Sequence, residues 1–304
     1  MDLKKFFKKL SLFLALPVLF CLAVILVDPY NYFNVSRLFT NETKINTSAK
    51  IEPALWRMID FKRNPAENII LGDSRAQNIN CSLVEELSGE EYYNLGCQGG
   101  GVPEFIDLFW YAEGLVPIKK VFIVINFDSF SKYITVSRVP QAKIILGNPL
   151  LYLIDRQVIR SVYYNIDRQF FRQDLVMDMI KMTKEKFWDF RLKERSDTYS
   201  HYAYPQDFYL KLKKISLYCR DHSIPLVFVI MPTHVEAQEL IDKYNLREEE
   251  RRFKEGISEL GLVYDFDQKN ALTENKDNFL DPVHANKKIV EYVVRNVWGG
   301  VNKD

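Results

Sequence analysis

Along most of the chain, short apolar runs alternate with longer stretches in which apolar residues recur at helical spacing. The runs are Ile69–Leu71, a weaker one ending in YYNLG (92–96), KKVFIVINF (119–127), IPLVFVIMP (224–232) and LGLVYDFD (260–267). The third and fourth are continuous and rich in β-branched residues, as strands covered on both faces are. Their alternation with amphipathic stretches predicts an α/β fold, a three-layer sandwich with a mainly parallel sheet between helices. Residues 148–197 carry apolar positions at helical spacing among many charges. That stretch is longer than an ordinary crossover and predicts a helical insertion.

The N-terminus breaks the pattern. Lys4, Lys5, Lys8 and Lys9 precede a run from Leu10 to Val27 that carries no charge. Such a run is long enough to span a bilayer. It ends in VDPYNYF, where Asp28 and Pro29 read as a helix stop and Tyr30 and Tyr32 as interfacial anchors, and not in a small-residue cleavage site. The expected organisation is a basic cytoplasmic tail at 1–9, a transmembrane signal anchor at 10–27, a polar exposed linker at 28–50 and a folded domain at 51–304. Lysines before a span hold the N-terminus inside, so the domain is expected outside the cytoplasm, at the cell membrane.

Composition narrows the partners. The 304 residues are 47% hydrophobic and 14% aromatic, enough to bury one large core or two modest ones. The formal net charge is +1, which supplies no basic field, so nucleic acid is not an expected partner. Outside the apolar run lie Cys81, Cys97 and Cys219; an 81–97 disulfide and three buried thiols both fit. No zinc-like spacing occurs, and no cofactor is expected. Asn34, Asn41 and Asn46 begin Asn-x-Ser/Thr triplets, which accept glycans only in a eukaryotic secretory pathway.

The chemistry begins at NIILGDSRAQN (68–78). Open parallel sheets place reactive groups at the carboxyl ends of strands. Ser74 falls there: Gly72 permits a tight turn, and the residues after Ser74 can begin a helix whose positive end favours developing negative charge. On this stretch alone, Asp73 or Ser74 can equally be a plain helix cap. A weak hydroxyl nucleophile needs a base, and the base needs an orienting group. Of the four histidines, His284 lies in LDPVHAN with Asp281 three residues before it. There the carboxylate can fix the imidazole tautomer and leave the other ring nitrogen for the serine.

With these residues in place, the chain resembles the SGNH, or GDSL-type, hydrolase superfamily. The resemblance rests on Gly72-Asp73-Ser74 after the first strand, NLGCQGG (94–100) after the second, and DPVHAN (281–286) before the last helix. It implies an SGNH, flavodoxin-like fold, with Ser74 as nucleophile and Asp281 and His284 completing a triad. It also implies an oxyanion hole made of the Ser74 N–H, the Gly99 N–H and an asparagine of a third block. That block departs from the family's Gly-x-Asn-Asp pattern: Asn126 falls where the glycine belongs, and Asp128 where the asparagine belongs. A carboxylate cannot donate unless protonated. Either Asn126 supplies the donor through a different turn, or the third donor is missing.

The single N-terminal run, its DPYNYF exit and GDSR in place of GDSL are similar to membrane-anchored SGNH-like proteins that accompany membrane-bound O-acyltransferases. The likeness implies an extracytoplasmic acyl-ester hydrolase or O-acyltransferase acting on a cell-surface glycan or acylated polymer. The bilayer and a membrane-bound O-acyltransferase are its expected partners. Arg75, Asp128 and His234 are candidate substrate contacts. Two other readings stay open: a non-catalytic scaffold that binds glycan or a membrane partner, and a glycosidase-like site built on paired carboxylates such as Asp73 and Asp128.

Overall fold

The computed structural model describes residues 3–171 and 182–299, with side chains from residue 13 onward. The four N-terminal lysine side chains and the part of the 148–197 insertion at 172–181 lie outside the described residues. Contacts divide the chain into two units, Met1–Asp60 with Val139–Met179, and Phe61–Arg138 with Ile180–Asp304.

The second unit is the α/β one. Its strands are β1 (Asn68–Gly72), β2 (Tyr93–Asn94), β3 (Lys120–Val124), β4 (Leu226–Ile230) and β5 (Leu262–Asp265). They form a parallel sheet in the order β2-β1-β3-β4-β5. In register, Ile70 pairs with Phe122 and Phe122 with Val227, while Leu71 pairs with Ile123 and Ile123 with Phe228. Because side chains alternate across a strand, each row faces one side of the sheet. The Ile70 row packs with Val293, Val294 and Val297 of the last helix, Lys287–Trp298, and the Trp298 ring lies 4.5 Å from that of Phe122. The helix Val102–Glu113 also packs on β1. Every residue of β1 and β4 is buried, which explains their continuous apolar runs. This architecture is the expected α/β class and is compatible with a three-layer sandwich. A hairpin of β6 (Phe279–Asp281) and β7 (His284–Ala285) precedes the last helix. Strand order reverses at β1, so β2 and β3 flank it; ligands of open α/β sheets bind outside the strand ends at such a switch.

The first unit departs from the expected plan. The helix Leu3–Val27 contains Pro17 and exposes Phe13, Leu16, Leu19 and Leu26. Among the described residues no helix is long and apolar enough to cross a membrane. Residues 28–50 are not an exposed linker. They form the helix Asn41–Asn46 and part of Ser48–Ile51, and Asp28, Tyr30, Lys44 and Ser48 are buried. Paired polar groups account for that burial. Tyr30 and Ser161 share a hydroxyl–hydroxyl bond of 2.8 Å, Tyr152 donates to Asp28 at 3.1 Å, and Asn165 donates to Ser48 at 2.7 Å. These bonds draw the start of the expected 148–197 insertion into the N-terminal unit, whereas its end, the helix Lys184–Ser200, belongs to the sheet unit. No disulfide is present among the described residues; the Cys97 thiol instead donates to the Leu95 carbonyl at 3.4 Å.

Candidate active site

Gly72 ends β1 with φ +144°, and a Cβ there would stand 2.6 Å from the Val124 carbonyl oxygen and 2.8 Å from Ala76 Cβ. Only glycine lets the chain turn this tightly against β3. Asp73 then caps the one-turn helix Ser74–Gln77, accepting the Arg75 N–H at 2.8 Å. Capping therefore falls to Asp73, and the Ser74 hydroxyl points elsewhere: its Oγ lies 2.7 Å from His284 Nε2. A single turn carries little macrodipole, so the positive helix end expected at Ser74 contributes less than the hydrogen bonds do.

The imidazole is aimed by the β6–β7 turn. Asp281 Oδ1 accepts the backbone N–H groups of Val283 at 2.9 Å and His284 at 3.0 Å, and Oδ2 lies 2.8 Å from His284 Nδ1. Burial would raise the Asp281 pKa, but the His284 hydrogen bond and its companions outweigh it and hold the group below its usual value. Asp281 is thus an ionised acceptor, Nδ1 must donate to it, and Nε2 of the neutral ring is left to accept the Ser74 proton. The turn is braced twice more. The His234 N–H donates to the Pro282 carbonyl at 2.8 Å, and Arg191 Nε stands 3.6 Å from Asp281 Oδ2.

The glycine loop lies against the serine turn. Past β2, Leu95 N–H donates to Ile70 O and Cys97 N–H to Gly72 O, at 2.8 and 3.0 Å. A Cβ on Gly96 would meet Gln77 N at 2.6 Å, which shows how close the loop runs. Asn94 locks it in place, donating to the Ala76 and Ile79 carbonyls and accepting the Gly96 N–H. Gly99, the expected oxyanion donor, is exposed and has φ +68°, where glycine is favoured. Buried Glu104 accepts from Arg138 Nε at 2.8 Å, and Arg138 also donates to the Gln98 carbonyl at 2.9 Å, holding the loop one residue before Gly99.

The third block is built differently from expectation. The Asn126 side chain donates to Met231 O at 2.7 Å and accepts from Met231 N at 3.2 Å, so it ties the ends of β3 and β4 together and is not aimed at Ser74. Asp128 takes a bidentate pair from Arg75, at 2.8 and 2.7 Å, and a further contact from Arg195 at 2.8 Å. All three are nearly sequestered from solvent, and Arg75 also reaches Asp73 at 3.3 Å. Burial would raise the Asp128 pKa, but Arg195 and Arg75 hold the carboxyl well below the usual carboxylate range. Arg75 engages both carboxylates of the pair Asp73 and Asp128, so neither stands free as a paired-carboxylate glycosidase site would have it. Arg75 and Asp128, expected as candidate substrate contacts, are buried and paired with each other.

His234 likewise faces inward. It caps the helix Val235–Lys243 by accepting the Glu236 N–H, and its ring stands edge-on between Trp188 and Phe279. Desolvation lowers its pKa. The structure therefore brings Ser74, Asp281 and His284 together and keeps Asn126, Arg75, Asp128 and His234 as parts of the surrounding frame. Sequence reasoning missed Arg191, Arg195 and Trp188, which sit at helical spacing on the 184–200 helix; their stripe was legible, but it read as a charged insertion.

No family model matches the sequence, and no curated protein matches it. Among solved structures, the chain is similar to a Streptococcus pneumonia protein described, provisionally, as a platelet activating factor. Identity is 12%, the match covers 82% of this chain and 92% of that one, and the TM-score is 0.41.

Proposed function

We propose that the chain is a serine acyl enzyme, an ester hydrolase or O-acyltransferase working through an acyl-Ser74 intermediate. The observation that carries this reading is the unbroken relay of Ser74 Oγ to His284 Nε2 at 2.7 Å and His284 Nδ1 to Asp281 at 2.8 Å. Both distances fall within the reach a nucleophile–base–orienter set requires. Ser74 Oγ attacks the ester carbonyl carbon as its proton passes to His284 Nε2. The C–O bond to the leaving alcohol then breaks, and the imidazolium returns the proton to that oxygen. The Ser74 and Gly99 N–H groups are the donors offered to the oxyanion; each such donor is worth about 3–4 kcal/mol in the transition state. With Asn126 engaged by Met231, the hole works with two donors.

The acyl-serine is discharged by water in a hydrolase and by a sugar or polyol hydroxyl in a transferase. The lysine-led apolar N-terminus supports a bilayer as partner. It also suits a surface glycan acceptor beside a membrane-bound O-acyltransferase, with the sheet unit outside the cytoplasm. The test replaces Ser74 and His284 by alanine in the full chain and follows p-nitrophenyl ester cleavage with and without a glycan acceptor. Each variant should lose activity while keeping its melting temperature, and acceptor should divert acyl groups from water only in a transferase. Full activity in Ser74→Ala would end the proposal.

A further inference from the structure

The peptide between Pro282 and Val283 is held on both edges. Its carbonyl accepts the His234 N–H at 2.8 Å, and its own N–H donates to Asp281 Oδ1 at 2.9 Å. A peptide unit is planar, so whatever fixes that carbonyl also fixes the direction of the N–H that meets the carboxylate. With Oδ1 held there, Oδ2 is the oxygen that meets His284 Nδ1. What holds His234 is therefore part of how the relay is aimed. His234 lies in the loop 231–234 that leaves β4, and this loop is anchored to both strands that flank β4. On the β3 side, Asn126 donates to the Met231 carbonyl and accepts the Met231 N–H. On the β5 side stands Asp267, only 9% exposed. Its Oδ1 collects three donors: the Thr233 N–H at 2.8 Å, the Thr233 hydroxyl at 2.7 Å and Gln238 Nε2 at 2.9 Å. Gln238 Nε2 also donates to the Thr233 carbonyl at 3.0 Å, so Thr233 is bound at its N–H, hydroxyl and carbonyl. Asp267 is itself fixed, donating its N–H to Asp265 Oδ1 at 2.9 Å and accepting Lys254 Nζ at its carbonyl at 3.1 Å.

We infer that Asp267 is a positioning residue: through Thr233, His234 and the Pro282 carbonyl it fixes the Asp281 carboxylate, and so the His284 ring, in the geometry that activates Ser74. Its effect on rate rests on the acyl-serine reading above, whereas its effect on the His284 ring does not. The hydrogen bonds its carboxylate accepts come from Thr233 and Gln238, so it acts on the relay only through this chain of contacts. Without the anchor, the Thr233–His234 segment gains freedom, and the Pro282–Val283 peptide with it. A misplacement of about 1 Å passed on to a catalytic group costs on the order of a hundredfold in rate. Because the imidazole takes the proton only as the transition state forms, the loss falls on kcat and leaves KM unchanged.

The experiment compares the full-length wild type, Asp267→Ala, Asp267→Asn and Thr233→Val in p-nitrophenyl ester cleavage, with rates expressed per Ser74 that a fluorophosphonate labels to completion. Asp267→Ala should lower kcat by about tenfold to a hundredfold at unchanged KM. Asp267→Asn keeps an acceptor oxygen for Thr233 and should stay within about threefold of wild type. The second readout is the His284 Nδ1–H proton resonance, assigned among those of the four histidines by its absence in His284→Ala. It should shift in Asp267→Ala and return in Asp267→Asn. A merely structural role would lower the melting temperature and move neither kcat per labelled serine nor this resonance. Should Asp267→Ala fail to fold, Thr233→Val, which removes a single donor, decides: it should lower kcat by about fivefold and shift the same resonance. An unmoved resonance, or a kcat within about twofold of wild type, in the deciding variant overturns the inference, as does an asparagine variant as impaired as the alanine one. With activity still abolished by Ser74→Ala, the acyl-serine reading then stands. Activity that survives Ser74→Ala removes that reading instead, and the resonance alone then judges Asp267.

Discussion

Replacing Asp128 with asparagine removes the one negative charge shared by Arg75 and Arg195. The side chain keeps its volume, but three charge-assisted contacts of 2.7–2.8 Å are lost or reduced, two from Arg75 and one from Arg195. Asp73, 3.3 Å from Arg75, is left to offset one of two buried guanidinium groups. Breaking a buried pair by removing one partner costs about 3–5 kcal/mol, because the stranded charge stays buried. For a domain of about 150–250 residues this lowers the melting temperature by roughly 6–20 °C. Thermal unfolding of the full chain is the assay, and the double variant Asp128→Asn/Arg195→Gln is its control. Removing Arg195 as well takes away a stranded cation, so the double variant should be more stable than Asp128→Asn alone. The pH dependence has a fixed sign. The folded pKa of Asp128 is depressed, so its contribution is complete above the unfolded carboxylate value of about 3.9 and is lost as pH falls below that towards the folded value. The wild type should lose stability on acidification through that range, and Asp128→Asn should lose less. A penalty under about 1 kcal/mol, in the range of a surface pair, or a double variant whose losses simply add, would refute this view of the network.

Other outcomes follow from the same geometry. Asp281→Asn preserves the acceptor for the Val283 and His284 N–H groups but presents an amide to Nδ1; the ring then adopts the tautomer with Nε2 protonated, and kcat/KM should fall by about 10³–10⁴ with little change in melting temperature. Gly72→Ala should destabilise the sheet unit by roughly 2–4 kcal/mol, seen in denaturant unfolding, because it combines a positive φ with a 2.6 Å contact to Val124 O.

The sheet was legible in the chain because burial on both faces leaves a continuous apolar signature, as at Val121–Val124 and Leu226–Ile230. Of the relay, only the Asp281–His284 pair is local, set by a two-residue gap in a hairpin; Ser74 stands 210 residues before His284, and the two were joined through the resemblance to the SGNH superfamily. What escaped were the long-range polar pairs that no motif marks. Asp128 stood at the position of an oxyanion asparagine, and nothing local shows that Arg195, on a distant helix, will bind it. Asn126 is answered by Met231 across the sheet, and Tyr30, Ser48 and Asp28 by partners more than a hundred residues away. A polar stretch read alone is solvated; these residues are buried because their partners arrive from elsewhere in the chain.

The central claim is that Ser74 is a nucleophile activated by His284. It is tested most directly by treating the full chain with a fluorophosphonate probe and mapping the adduct by peptide mass spectrometry. The account predicts one phosphonylated residue, Ser74, with labelling abolished in Ser74→Ala and slowed by about a hundredfold or more in His284→Ala. An unlabelled protein, a label on another serine, or equal labelling rates in wild type and His284→Ala would contradict it.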